Sequence, residues 1–291
     1  MSSRLILGTA QFGMPYGIAN RSGQVAPGEA TAVLAIARQS GIDTLDTAVA
    51  YRDSEARLGA AGIDGWRVVT KLPPLPADCA DAAAWVDAMV MGSLGRLGVS
   101  SLYGLLLHRS RDLGGPAGEA LYAAMSALKA AGRVQKIGVS IYDPAEIEVL
   151  SGRFALDLLQ TPFNVVDRRI RDGGWLARLQ RMGTEVHARS VFLQGLLLMA
   201  AGDRPARFAA WGRLWTVWEE WVSAQQVTPL QACLAFALAQ PEIAGVVVGV
   251  DSSRQLREIL AADALRSSSI LPAELACDDP DLINPSRWSL S

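Results

Sequence analysis

The chain has 291 residues, of which 50% are hydrophobic and 19% are charged, with a formal net charge of −2 at pH 7. Such a chain can bury a large core, and its near-neutral charge offers no basic field to nucleic acid. No apolar run approaches the roughly 18 residues that span a bilayer, so we expect no membrane segment. The cysteines Cys79, Cys233 and Cys277 form no C-x-x-C pair. Their spacing disfavours a disulfide framework or a metal site and favours a reducing cytoplasm.

Short apolar runs alternate with segments of helical period along the chain. Strands are predicted at 4–7, 43–48, 67–71, 103–108, 136–140, 156–160, 184–189 and 245–249. Helices are predicted near 28–40, 54–61, 78–97, 117–131, 144–151, 168–182, 228–239 and 252–261. This alternation is typical of a (β/α)₈ TIM barrel, an α/β fold whose parallel sheet is covered on both faces. No linker or repeat is visible, so we predict a single domain over residues 1–291.

The segment 203–225 does not fit this bare eightfold plan. It carries apolar residues at helical spacing, namely Trp211, Trp215, Trp218, Trp221 and Val222. We predict an extra tryptophan-rich helix between strand 7 and its usual helix. Packing of this stripe on the barrel is the simpler interpretation, and an overhang above the substrate entrance is the alternative.

The chain lacks the glycine-rich turns that usually hold nucleotides in parallel α/β proteins. It contains neither G-x-G-x-x-G nor G-x-x-x-x-G-K-[ST]. A Rossmann or P-loop enzyme is therefore disfavoured, and any nucleotide must be held in another way.

Four polar residues follow or end successive predicted strands: Asp46, Tyr51, Lys71 and His108. Each has a structural explanation when it is taken alone, such as a cap, a loop aromatic or a solvent-reaching lysine. In a parallel barrel, however, all four would meet at the carboxyl ends of the strands, where barrel active sites form. We read His187, which lies within strand 7, as structural.

These four groups together suit proton transfer to a carbonyl. A phenol has a pKa near 10, and we expect the Lys71 ammonium to lower the pKa of Tyr51. Asp46 would keep Lys71 charged, and His108 would orient the substrate oxygen toward Tyr51. Because no side chain supplies a hydride, a nicotinamide cofactor has to supply it.

Over nearly its whole length the chain resembles the aldo-keto reductases. The matching residues are 7–13 (Leu-Gly-Thr-Ala-Gln-Phe-Gly), 41–48 (Gly-Ile-Asp-Thr-Leu-Asp-Thr-Ala), Tyr51, Ser54-Glu55, Leu58-Gly59, Thr70-Lys71, Leu107-His108, Gly138-Val139-Ser140, Gln160, 162–164 (Pro-Phe-Asn), 194–197 (Gln-Gly-Leu-Leu) and 228–240. The resemblance implies a TIM barrel, NADPH- or sometimes NADH-dependent reduction of an aldehyde or ketone, and the catalytic tetrad Asp46, Tyr51, Lys71 and His108.

The resemblance also implies where the cofactor lies. The nicotinamide carboxamide would lie near Ser140 and Gln160, the pyrophosphate near Phe192, Gln194 and Gly195, and the adenosine near Gly249, Ser253, Gln255 and Glu258. The chain departs from the family at Ile141, at Ile259 and at Arg189, which replaces an aromatic residue that commonly stacks on the nicotinamide. Asp251 would favour NADH, whereas Arg254 or Arg257 would favour NADPH. The habit of the family gives NADPH a slight preference.

We therefore hypothesise a cytoplasmic NAD(P)H-dependent oxidoreductase that interconverts a small-molecule carbonyl and an alcohol, as a monomer or small homo-oligomer. Candidate substrate-pocket residues are Phe12, Tyr16, Tyr142 and Trp288. Segments 189–192 and 284–288 weakly resemble family members that act in sugar metabolism. Two alternatives remain open: a nicotinamide-binding sensor that turns over little, and an aldolase-like barrel with Lys71 as a Schiff-base nucleophile.

Overall fold

The first strand pairs with both the second and the last strand, which closes an eight-stranded parallel sheet into a barrel. The protein is described by a computed structural model that covers residues 3–264 and 271–288. Its strands, in chain order and each paired with the next, are β1 Leu5–Gly8, β2 Thr44–Asp46, β3 Arg67–Leu72, β4 Leu102–Leu107, β5 Val134–Ser140, β6 Leu158–Pro162, β7 Glu185–Arg189 and β8 Ile243–Gly249. The predicted TIM barrel is therefore confirmed.

Helices surround the barrel and connect its strands. They are α1 Ala10–Gly13, α2 Pro27–Gln39, α3 Ser54–Ala61, α4 Ala82–Leu97, α5 Ser110–Gly114, α6 Gly118–Ala130, α7 Ala145–Ser151, α8 Arg169–Asp172, α9 Trp175–Arg181, α10 Gly212–Gln225, α11 Pro229–Leu238, α12 Ser253–Ala264 and α13 Pro280–Ile283. Within residues 3–264 and 271–288 no helix is long and apolar enough to cross a bilayer.

The extra tryptophan-rich helix is present between β7 and α11, but it begins later than predicted. Two 3₁₀ turns, Ala201–Asp203 and Ala206–Trp211, precede α10, and Pro205 immediately before the second turn interrupts regular helix. Trp215 and Trp218 are buried in the core, as the simpler interpretation of the stripe predicts. Trp288 in the C-terminal segment packs edge-on against Phe208 with 5.0 Å between ring centroids.

The predicted helix 168–182 is in fact two helices. Gly173 and Gly174 separate α8 from α9, and Gly174 has a φ of 74°, a left-handed conformation that ends a helical run. The short helices α1 and α5 were also not predicted, because four or five residues are too few to show a helical period.

Arg4, just before β1, holds the closing seam of the barrel. Its guanidinium donates hydrogen bonds to the carbonyl oxygens of Leu238 at 2.8 Å, Gln240 at 2.6 Å and Ile243 at 2.5 Å. These carbonyls lie at the end of α11 and the start of β8. A single side chain therefore fixes the junction through which the last strand enters beside the first.

The amino-terminal ends of the strands carry a partly buried polar cluster, which we call the amino-end cluster: Tyr103, Lys136, Glu185 and His187. The Glu185 carboxylate accepts hydrogen bonds from Tyr103 Oη at 2.7 and 3.0 Å, pairs with His187 Nε2 at 2.7 Å, and bonds to Lys136. These bonds hold the pKa of Glu185 at about 2, although burial acts to raise it. His187 is thus structural in this fold, as its position in a strand predicts.

Candidate active site

The four predicted catalytic residues converge at the opposite, carboxyl-terminal end of the barrel. Asp46 is the last residue of β2, Lys71 lies near the end of β3, and His108 directly follows β4. Tyr51 lies in the turn between β2 and α3, where its backbone N–H bonds to the carbonyl of Ala48 at 3.0 Å. We call Asp46, Tyr51, Lys71 and His108 the carboxyl-end cluster.

A glycine allows the Tyr51 segment to approach the barrel. A Cβ atom at Gly13, the last residue of α1, would lie 1.7 Å from the carbonyl oxygen of Tyr51. Arg52 follows with a φ of 51°, a left-handed conformation that costs a non-glycine residue about 1–3 kcal/mol. The turn that presents Tyr51 is therefore both tightly packed and locally strained.

Lys71 and Asp46 form a buried ion pair. Lys71 Nζ donates to Asp46 Oδ1 at 2.7 Å and to the carbonyl of Thr47 at 2.8 Å. The other carboxylate oxygen, Asp46 Oδ2, accepts from Gln160 Nε2 at 2.7 Å. Burial lowers the pKa of Lys71, while the charge of Asp46 and its hydrogen bond oppose that shift. The pair therefore holds the ammonium in one place with its charge compensated.

Tyr51 lies beside this pair without a hydrogen bond to it, and His108 lies beside Tyr51. The Lys71 ammonium lies 5.2 Å from the Tyr51 ring centroid, and the Tyr51 and His108 rings meet edge to face at 5.9 Å. In the described part of the chain, no hydrogen bond engages the Tyr51 hydroxyl or a ring nitrogen of His108. Both groups are therefore available to a ligand.

The pKa values of Tyr51 and His108 show which groups of this cluster hold a proton, and that of Tyr51 differs from our expectation. The pKa of Tyr51 is raised above its ordinary value of 10, because burial and the Asp46 carboxylate outweigh the opposing effect of Arg189. The expected lowering by Lys71 is not seen, and the positive charge that does act to lower this pKa is that of Arg189. Burial, with the charges of Lys71 and Arg189, lowers the pKa of His108 to about 4. At neutral pH the phenol keeps its proton and the imidazole is uncharged.

A cavity of about 290 Å³ opens beside Tyr51 and runs to the start of α12. Of the predicted cofactor residues, Gln160, Arg189, Phe192, Gln194, Gly195, Gly249, Gln255 and Glu258 line it. Ser140 and Ser253 are not among its lining residues. Ser140 is buried beside Gln160 in the register of β5 and β6, and the Ser253 backbone N–H is bonded to Glu29.

The loop after β1 supplies part of the lining that sequence reasoning mostly missed. Tyr16, Ala19 and Asn20 line the cavity, and of these only Tyr16 was a candidate. This loop has no hydrophobic period, so nothing in the pattern distinguishes its inward from its outward residues. Of the other candidate pocket residues, Phe12 and Trp288 are buried and Tyr142 is half-buried, and none of the three is among the lining residues.

Comparison with known proteins decides the family. The sequence model of the Aldo/keto reductase family matches residues 4–269. The chain belongs to the aldo-keto reductases. A search of curated proteins found no match.

Among solved structures, an aldo-keto reductase from Bacillus halodurans in its holo form is similar, with a TM-score of 0.72 and 21% identity over 94% of this chain and 90% of that one. A Pseudomonas aeruginosa protein, assigned as an aldo-keto reductase, has a TM-score of 0.67 and 24% identity, with 90% of each chain covered. At these identities the two structures support the fold alone.

Membership of the aldo-keto reductases implies a nicotinamide cofactor, and one atom of the cavity tests the fit. Gln160 Oε1 is buried and has no hydrogen-bond partner among the described residues. Its orientation is fixed because Gln160 Nε2 must donate to the Asp46 carboxylate. An unpaired buried acceptor is costly unless a ligand satisfies it, and a carboxamide N–H₂ is a suitable donor. The residues present therefore fit a nicotinamide.

Arg189, at the end of β7, lines the same cavity as Gln160. Its Nη2 donates to the carbonyl of Ile141 at 2.9 Å and its Nη1 to Ser190 Oγ at 3.2 Å. The guanidinium lies over the Tyr142 ring, 4.3 Å from the centroid. The positive side chain thus forms part of the cavity wall.

The other end of the cavity is acidic. Asp251 and Glu258 line it, and Arg254 is paired with Glu258 at 2.9 Å. Glu29, from α2, accepts the N–H of Ser253 in the first turn of α12. The Glu29 carboxylate therefore lies at the N-terminus of α12, where the helix dipole favours a negative charge.

Within the described ranges, no group of three or more histidine, cysteine or acidic side chains is placed to hold a metal. The three cysteines are free.

Proposed function

We propose that this aldo-keto reductase reduces an aldehyde or ketone to an alcohol, or catalyses the reverse reaction, with NAD(P)H as cofactor and Tyr51 as proton donor. The observation that carries the proposal is the state of Tyr51. It lines the cavity with an unengaged hydroxyl and keeps its proton at neutral pH, next to a fixed Lys71–Asp46 pair.

Each residue of the carboxyl-end cluster has a distinct task in this proposal. Bound NAD(P)H supplies a hydride to the carbonyl carbon. Tyr51 donates its proton to the carbonyl oxygen, whose basicity rises as it becomes an alkoxide. Lys71 stabilises the phenolate that remains, and Asp46 keeps Lys71 in place. The neutral His108 donates a hydrogen bond to the oxygen and orients it toward Tyr51.

Two arrangements support this reaction over its rivals. Lys71 donates to both Asp46 and Thr47 at 2.7 and 2.8 Å, so its nitrogen is engaged and poorly placed for imine formation. Trapping with borohydride and a carbonyl substrate would label Lys71 if the aldolase-like alternative were correct. A sensor that only binds the cofactor would not need the cluster complete, and here all of its members are assembled.

The preference for NADPH remains a prediction drawn from the habit of the family. The charges at α12 do not strengthen it, because Arg254 is paired with Glu258 and Asp251 also lines the cavity. Fluorescence titration with NADPH and with NADH would measure the two dissociation constants directly. A sugar is the substrate class toward which the sequence resemblance leans.

The decisive test compares Tyr51→Phe with Tyr103→Phe, which removes the same hydroxyl from the amino-end cluster. We expect Tyr51→Phe to lower the rate of carbonyl reduction by about 10²–10⁴-fold and to leave cofactor quenching nearly unchanged. Tyr103→Phe should keep its turnover. A Tyr51→Phe protein with wild-type activity on a broad panel of aldehydes, ketones and sugars would refute the role of Tyr51.

We further propose a cytoplasmic location, which the three free cysteines support, and a monomer or small homo-oligomer. Size-exclusion chromatography with light scattering would establish the assembly.

A further inference from the structure

We propose that Arg189 recognises an anionic group, a carboxylate or phosphate, on the carbonyl substrate. This inference rests on the proposed function, because it places the substrate carbonyl at Tyr51, and it adds the chemical class of what is bound.

Arg189 is a half-buried cation without an acidic partner. Among residues 3–264 and 271–288, no carboxylate forms an ion pair with it. Arg169, its neighbour in space across Tyr142, is by contrast paired with Asp143 at 2.6 Å and Asp167 at 2.9 Å. Because a partly desolvated charge is costly when it is unpaired, a bound anion is the natural counterpart of Arg189.

The side chain of Arg189 is held ready for such a ligand. The Ile141 carbonyl and Ser190 Oγ engage two of the five guanidinium N–H donors, which leaves donors for a planar carboxylate or for phosphate oxygens. The Tyr142 ring supports one face of the guanidinium. Arg169 in turn donates to the Tyr142 carbonyl at 2.9 Å, so the support is itself fixed.

The charges along the cavity also favour an anion at this end. Asp46 neutralises Lys71, whereas Arg189 at the same end has no carboxylate partner among the described residues. Asp251 and Glu258 line the far end and would repel an anion there. A substrate with one negative group would therefore place that group at Arg189 and its carbonyl toward Tyr51.

The test uses carbonyl pairs that differ in charge. One pair is 4-carboxybenzaldehyde and its methyl ester, and the other is glyceraldehyde 3-phosphate and glyceraldehyde. We expect the wild-type protein to favour the charged member of at least one pair in kcat/KM, and the favoured pair identifies the anion. Arg189→Gln should lower kcat/KM for that anion by about 10–100-fold and for its neutral counterpart by less than about threefold. Arg189→Lys should keep part of the preference.

Arg181→Gln, which removes an exposed positive charge on α9, is the matched control. It should leave the ratio of kcat/KM for charged over neutral substrate unchanged in both pairs. The cofactor dissociation constant of Arg189→Gln, measured by fluorescence, should stay within about threefold of wild type. Equal losses on charged and neutral substrates, or a loss of cofactor affinity alone, would overturn the proposal, because Arg189 would then serve the cofactor.

A second readout separates this inference from the proposed function. Calorimetric binding of 4-carboxybenzyl alcohol, 3-phosphoglycerol and their neutral counterparts requires no turnover. If no carbonyl is turned over, the proposed function fails. Anion binding that Arg189→Gln abolishes would still support the site, and equal binding of charged and neutral ligands would reject it.

Discussion

The two ends of the barrel carry the same four kinds of side chain. Asp46, Tyr51, Lys71 and His108 lie at the carboxyl end, and Glu185, Tyr103, Lys136 and His187 at the amino end. The chain has only two histidines, and each belongs to one of these clusters. A carboxylate, a phenol, an ammonium and an imidazole in proximity therefore do not by themselves distinguish an active site.

What distinguishes the clusters is how their hydrogen bonds are used. At the amino end Tyr103, Lys136 and His187 all bond to Glu185, so the carboxylate closes the cluster on itself. At the carboxyl end only Lys71 and Asp46 are bonded to each other, which leaves Tyr51, a lining residue of the cavity, and His108, next to Tyr51, without side-chain hydrogen bonds in the described structure. The first arrangement contributes to stability, and the second keeps donors for a ligand.

Replacing each lysine by methionine should separate these roles most strongly. Lys71→Met should reduce turnover by about 10³-fold or more and destabilise the fold by about 3–5 kcal/mol, because Asp46 is left as a buried, unpaired charge. Lys136→Met should keep kcat within about twofold and cost about 1–3 kcal/mol, since Glu185 loses one of several partners. Steady-state kinetics and urea unfolding measure both. If Lys136→Met lost activity while Lys71→Met kept it, the assignment of catalysis to the carboxyl-end cluster would be wrong.

Acid should destabilise the two ends in different pH ranges. The pKa of Glu185 is about 2 in the folded protein against an ordinary 4.5, so its stabilisation is complete above pH 4.5 and is lost as pH falls toward 2. We expect up to about 3 kcal/mol from this group, and Glu185→Gln should remove that dependence. The pKa of His108 falls from 6.5 to about 4, so the unfolded chain binds the extra proton between those values.

Unfolding free energies of wild type, Glu185→Gln and His108→Gln, measured from pH 2 to pH 8, would show the two ranges. His108→Gln should flatten only the range from pH 6.5 to 4. Indistinguishable profiles for the two variants would contradict the assignment.

The histidines should give the smallest and most specific contrast. His108→Gln should lower kcat/KM by about 10–100-fold with little change in unfolding at pH 8, because the ring makes no side-chain hydrogen bond in the described structure. His187→Gln should leave kcat/KM unchanged and cost about 1–2 kcal/mol through its lost bond to Glu185. Steady-state kinetics and urea unfolding of both variants measure this contrast. Loss of kcat/KM in His187→Gln with none in His108→Gln would contradict the roles given to the two clusters.

The strands could be predicted because eight short apolar runs alternate with segments of helical period, whereas the exact ends of the strands could not. β6 runs from Leu158 to Pro162 rather than over 156–160, since Leu156 is as apolar as the strand it precedes. The carboxyl-end cluster was predictable because its members end or follow strands. Its proton distribution was not, because the pKa of Tyr51 depends on burial and on the positions of Asp46 and Arg189 around it, and neither can be read from the sequence.

The bonds from Arg4 to the junction of α11 and β8 have a consequence for synthesis on the ribosome. β1 finds its second neighbour only when residues 243–249 have been translated, so Leu5 and Leu7 must wait through most of translation for the strand that covers them. We therefore expect a nascent chain to expose the apolar residues of β1 to chaperones until β8, in about its last sixth, emerges. The hydrogen bonds of Arg4 to Leu238 and Gln240 can form only at this stage, when β8 closes the barrel.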